Sequence, residues 1–87
     1  MAELIYPNGE ALSLEPKNGK TFSLQELQDA VEGYIEMVST KDGRNMVINE
    51  EGKLKGLEIN HEATKLFAPG VDVIVGNAVV CSSEEIE

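Results

Sequence analysis

The side chains of this sequence that could do chemistry are few, and their spacing matches no catalytic centre. His61 is the only histidine. A two-histidine metal centre is therefore excluded within one chain. His61 falls in the first turn of a predicted helix, where a solvated residue is expected rather than a general base. Cys81, the only cysteine, ends the run Ala78-Val79-Val80-Cys81. No basic neighbour in sequence would lower its pKa, so it reads as a small buried hydrophobe. Carboxylates are plentiful, with Glu50 and Glu51 sharing a turn with Asn49. A calcium loop needs oxygen ligands at alternate positions before its glycine and a glutamate six residues after it, which this turn lacks. The expectation is a turn whose asparagine and glycine take positive φ, with solvated glutamates. Arg44, Lys53 and Lys55 form the only local excess of positive charge. At one end of a sheet they would be the place for a small anion. The competing and favoured reading makes Lys53 and Lys55, either side of Leu54, the charged guards of an exposed edge strand. Gly43, Gly52, Gly56, Gly70 and Gly76 suit turns, and no phosphate-cradling glycine pattern occurs. No catalytic residue, metal or cofactor is expected.

Composition bounds the remaining classes. The chain has 87 residues, enough for one domain with a small core. At 41% apolar residues, with two Phe, two Tyr and no Trp, that core is mainly aliphatic. Only a few kcal/mol of stability are expected at this size, which makes a homodimer sharing apolar surface a reasonable assembly. One cysteine permits no intramolecular disulfide and suits a reducing cytoplasm. No run approaches the about 20 apolar residues of a membrane span, so no membrane partner is expected. Sixteen acidic against seven basic side chains give a net charge of −9. That balance argues against binding a nucleic-acid backbone and permits a basic protein partner or mimicry of nucleic acid. Solubility alone would also explain it.

Local signals place the elements. Residues 2–6 form an apolar run, Pro7-Asn8-Gly9 signals a hairpin turn, and Ala11-Leu12-Ser13-Leu14 returns antiparallel. Ser23 and Glu26 have capping-box spacing, and Phe22 and Leu27 fit a hydrophobic staple. Leu24, Leu27, Ala30 and Val31 give one apolar stripe, so a helix is predicted over residues 24–32, with Gly33 as its left-handed cap. Residues 33–57 then read as strand, turn, strand, turn, strand, the stretch around which the chain is organised and of which one face is covered. Leu54 and Leu57 are expected to carry apolar contacts beyond the second turn. Asn60 caps a short helix over residues 61–67, stopped by Pro69-Gly70. Residues 71–75 and 78–81 read as strands. Gly76-Asn77 between them fits a tight turn or a bulge, with the turn favoured. The domain is thus expected over residues 1–81, with 82–87 a frayed acidic tail. The fold class is α+β, a small, mainly antiparallel sheet of five or six strands with two short helices.

Four stretches together carry a resemblance: Gly-Tyr-Ile-Glu (33–36), Met-Val-Ile-Asn-Glu-Glu-Gly-Lys-Leu-Lys-Gly-Leu (46–57), Asn-x-x-Ala-Thr (60–64) and Asp-Val-Ile-Val-Gly-Asn-Ala-Val-Val (72–80). The chain resembles an uncharacterised small-domain family common in phages, prophages and plasmids and without an established enzyme activity. The resemblance covers residues 24–80. Its polar motif residues Asn49, Glu50, Asn60 and Thr64 are the better site candidates. If the Asn49 turn met the start of the second helix, the two would hold an anion or a carbonyl.

The expected function is that of a non-enzymatic acidic binding protein of a mobile element, cytoplasmic in a bacterial host. It would occlude a host protein with a basic surface, one serving defence or DNA processing, with Glu50, Glu51 and the sheet edge in contact. One alternative is a sponge or sensor for a nucleotide-like signal, using Arg44, Lys53, Lys55 and the second-helix N-terminus. Another is a self-associating structural domain.

Overall fold

The computed structural model describes residues 2–67 and 73–86. Its organising element is the last strand. Ala78, Val79, Val80 and Cys81 form β5 (Ala78–Cys81), buried along its whole length. Four consecutive apolar, strand-forming residues are what a strand covered on both faces requires. β5 lies in the middle of an antiparallel five-stranded sheet, between the hairpin β1 (Ala2–Ile5) with β2 (Ala11–Leu14) and the hairpin β3 (Ile35–Ser39) with β4 (Asn45–Asn49), in the order β2-β1-β5-β4-β3. Glu3 and Met46 both stand opposite Val80. The strand latest in sequence thus joins two hairpins made earlier.

Because side chains alternate along a strand, each strand feeds two cores. Leu4, Val47, Val79 and Cys81 pack under helix α1 (Leu24–Val31) with Phe22, Leu27 and Val31. Ile5, Met46, Ala78 and Val80 pack on the opposite face with Ala63 of helix α2 (His61–Leu66) and Ile74. Both faces are covered, not the one that the central hairpin alone suggested.

α1 begins as its sequence dictates. Ser23 Oγ accepts the Glu26 N–H at 3.2 Å, and Glu26 Oε1 accepts the Ser23 N–H at 3.0 Å. Phe22 and Leu27 are buried, whereas Leu24 faces outward. The left-handed residue at the end of α1 is Glu32 (φ 64°), one position before the expected Gly33.

Further corrections concern the long-range parts. Residues 53–57 do not form a third strand. Lys55 N–H donates to Glu51 O at 2.9 Å and Leu57 N–H to Gly52 O at 3.0 Å, so the segment winds into helical turns. Lys53 and Lys55 therefore guard no edge strand, and Leu54, 88% exposed, carries no core contact. Leu57 is half-buried against two glycines, its Cδ1 lying 2.7 Å from where a Cβ on Gly76 would stand and 3.5 Å from one on Gly52. Asn49 and Gly52 lack positive φ, which falls instead on Gly56. The strand expected over 71–75 falls partly outside the described residues. Val75 within it makes only an isolated bridge to Ile59, because Ile74 N–H and C=O turn to Thr64 Oγ1 and Asn60 N–H. Gly76 (φ 76°) is a bend before β5.

The segment after β5 is docked rather than frayed. Ser83–Glu85 forms a 3-10 turn, Phe22 N–H donates to Glu85 O at 2.7 Å, and Ile86 packs on the α1-side core. Among the described residues no helix is long and apolar enough to cross a membrane.

Candidate functional site

Two of the stretches singled out by sequence meet at the end of α1. Asn49, the last residue of β4, is buried with its side chain on the α1 side. Its Nδ2 donates to Val31 O at 3.0 Å and to Glu32 O at 3.4 Å, while Oδ1 accepts the Glu51 N–H at 2.8 Å. One amide thus satisfies carbonyls left over at the helix end and fixes the following turn. Glu50 N–H donates to Tyr34 O at 2.9 Å, which locks that turn to the start of β3. Gly33 is needed because of this closure: a Cβ there would lie 2.7 Å from Asn49 Nδ2 and 3.1 Å from Lys55 Nζ.

The closure frames an open cleft of about 410 Å³, lined by Gln25, Gln28, Asp29 and Glu32 from α1 and its cap, with Gly33, Tyr34, Glu51 and Lys55 opposite. Three carboxylates face one ammonium, and Lys55 Nζ lies 4.0 Å from Glu51 Oε1 in a half-exposed pair. The negative end of the α1 dipole points the same way. Tyr34 is 65% exposed and offers a ring face. An ammonium or guanidinium group is what such a surroundings receives, the latter also by stacking on the ring.

Residues 4–87 match a family described as a domain of unknown function, DUF3846. The chain belongs to the DUF3846 family. The match takes in every helix and all but the first two residues of β1, so the cleft lies within the DUF3846 span. The resemblance to an uncharacterised small-domain family therefore holds. No curated protein and no solved structure matches the chain.

The other candidates of this DUF3846 domain are dispersed. Asn60 is completely buried. Its Oδ1 accepts the Ala63 N–H at 3.1 Å, and its Nδ2 donates to Ile5 O at 3.0 Å and Gly76 O at 2.8 Å. Thr64 Oγ1 donates to Asn60 O at 2.8 Å and accepts the Ile74 N–H at 2.9 Å. These groups tie α2 to β1 and to the segment that leads into β5. Asn49 works on the α1 side and Asn60 on the α2 side, so the expected joint anion site does not form.

Nor do the basic residues share one end of the sheet. Arg44 precedes β4, whereas Lys53 and Lys55 follow it, and five strand residues separate them by about 16 Å. Arg44 Nε bonds Asp42 Oδ2 at 2.9 Å. That contact, with a hydrogen bond from Thr40, holds the Asp42 carboxyl down at about 2. Glu50 and Lys53 line a smaller cleft of about 180 Å³ on the α2 side, with Val38, Ile48 and Phe67 among its walls. Among the described residues, no three His, Cys, Asp or Glu side chains converge to hold a metal ion.

Of the cleft residues, Glu51 and Lys55 were site candidates in the sequence, whereas Gln25, Gln28, Asp29, Glu32 and Tyr34 were not. A signal existed. Gln25, Gln28, Asp29 and Glu32 recur at three- and four-residue spacing, a polar stripe beside the apolar one of Leu27 and Val31.

Proposed function

We propose that this DUF3846 domain is a non-enzymatic acidic binding module that engages a basic protein partner through the cleft at the end of α1. The observation that carries the reading is the convergence of the Gly-Tyr-Ile-Glu and Asn-Glu-Glu-Gly stretches on that cleft, where the exposed Tyr34 ring and the Glu51 carboxylate join Asp29 and Glu32 of α1 and its cap. Asn49 is consumed in holding the cleft together, which leaves Asp29, Glu32, Tyr34 and Glu51 to make the contact. A net charge of −9 adds long-range attraction for a basic surface and speeds encounter. A bacterial host protein of defence or DNA processing, blocked by occupancy, is the partner that the resemblance of the four sequence stretches to proteins of phages, prophages and plasmids implies.

Affinity capture from a bacterial lysate tests this, with the wild-type chain beside a Glu32→Lys, Glu51→Lys double variant. A basic host protein should be retained by the wild type, be released by raised salt, and be missing from the variant. Equal capture by both chains, or binding insensitive to salt, would refute the reading.

A further inference from the structure

The β2 edge of the sheet is open. Tyr6 N–H donates to Glu10 O at 2.8 Å, which sets the phase of the β1–β2 ladder. In an antiparallel ladder bonded and non-bonded pairs alternate. Leu4–Leu12 and Ala2–Leu14 are thus the bonded pairs, and the N–H and C=O groups of Ala11 and Ser13 point away from β1. No described residue bonds them, and no described strand lies beyond β2. Proteins guard such edges with lysine, proline, a bulge or shortness, and Ala-Leu-Ser-Leu, four residues long, has only the last of these. Leu12 is 54% exposed.

Beside this edge, between β2 and α1, runs a cleft of about 290 Å³ with an apolar floor of Leu4, Leu14, Phe22 and Ala30. Its rim carries Glu15, Glu26 and Asp29 against Lys17 alone. Asp29 also lines the cleft at the end of α1, so the two adjoin.

We propose that β2 is a docking edge where an extended basic segment of a partner protein adds a sixth strand, alternating apolar residues with lysine or arginine. This rests on the reading of a basic protein partner and specifies how that partner is held. Main-chain bonds to Ala11 and Ser13 supply affinity, and side chains of one parity enter the cleft. The carboxylate rim selects for cations. A second copy of this chain is the poorer occupant. Two-fold pairing that sets Leu12 against its counterpart brings Glu10 and Glu15 of both copies around it, and each copy carries −9.

The test is an amide-resolved NMR titration with a capped peptide of alternating lysine and valine, beside its glutamate–valine counterpart. The lysine peptide should shift the Ala11 and Ser13 amides and slow their exchange with solvent. Ser13→Pro removes only an outward N–H, a position where edge proline is tolerated, so it should keep the fold and weaken binding at least tenfold. Should that variant not fold, the wild-type titration decides alone. Unmoved Ala11 and Ser13 amides, undiminished binding by folded Ser13→Pro, or equal binding of the glutamate peptide would overturn the proposal. A wild-type dimer that Ser13→Pro converts to monomer would also overturn it, by making a second copy the occupant. Shifts confined to Gly33, Tyr34 and Glu51 would reject the edge and keep the α1 cleft. Shifts confined to Ala11 and Ser13 would do the reverse.

Discussion

Among single residues, Asn60 has the most depending on it. One buried amide caps α2 and donates to two backbone carbonyls from segments far apart in sequence. Removing it takes one donor from Ile5 O and one from Gly76 O as well as removing the cap. Asn60→Ala should therefore lose about 2–4 kcal/mol, read as a drop in denaturant midpoint. Asn60→Asp keeps the capping oxygen but turns its other oxygen toward those two carbonyls. Its carboxyl pKa should rise in the folded state, through desolvation and the facing dipoles. The folded variant then binds more protons than the unfolded one, so its stability falls as pH rises through the carboxylate range and above. Asn60→Asp should consequently be more stable at pH 4 than at pH 7, relative to wild type. A flat difference between the two proteins across that range would contradict the assigned amide orientation. Gly33 shows why a single residue can be singled out for the wrong reason. Its sequence position suggested a left-handed cap, but the cap is Glu32, and the need for glycine comes from an amide 16 positions away, Asn49 Nδ2.

Local elements were legible to the degree that their bonds are local. The Ser23–Glu26 capping box lies within four residues and forms as the spacing required. The β1–β2 and β3–β4 hairpins also follow from turns and alternation close at hand. Polar–apolar alternation over the three residues Lys53-Leu54-Lys55 cannot be told from helical turns, and bonds three to five residues apart prevail there. The docking of residues 82–86 was invisible because it depends on Phe22, far away in sequence. At α1 the box has a measurable consequence. Glu26 accepts the Ser23 N–H and, through Oε2, the Lys17 N–H at 2.9 Å. Those backbone donors hold its carboxyl below the ordinary value of 4.5. A carboxyl with a depressed folded pKa stabilises above its unfolded pKa, and the gain disappears as pH falls through the folded value. Glu26→Gln should lower stability at pH 7 and flatten the loss of stability below about pH 4.5 relative to wild type. Ser23→Ala should lose about 1 kcal/mol, with little change in that pH slope. Thermal melts from pH 3 to pH 7 would separate the two effects.

For the whole molecule, the decisive fact is that β5 enters last and joins the two hairpins. It pairs with both hairpins, and its alternate residues belong to the two cores. Neither hairpin can bury its inner edge without it, so the domain should unfold in one step. Cys81 at the end of β5 reports on this directly. Burial, with a lesser contribution from the Glu85 charge, raises its thiol pKa to about 11. At pH 8 only about one thiol in a thousand is then ionised, even before access is considered, and the thiolate is the reacting form. The residue is also fully buried in the α1-side core against which Ile86 packs, and its ladder partner Asn45 donates to Ser83 Oγ at 2.9 Å. Modification by an aromatic disulfide reagent should therefore proceed only through opening of the chain. Where reclosing outpaces labelling, the protection factor gives the free energy of that opening. The expected value equals the global unfolding free energy from circular dichroism, and both should fall together with denaturant. A smaller value with a shallow denaturant dependence would mean that the segment after β5 lifts away by itself. In that case the two cores would not be a single cooperative unit, and the last strand would be bound less firmly than its central position implies.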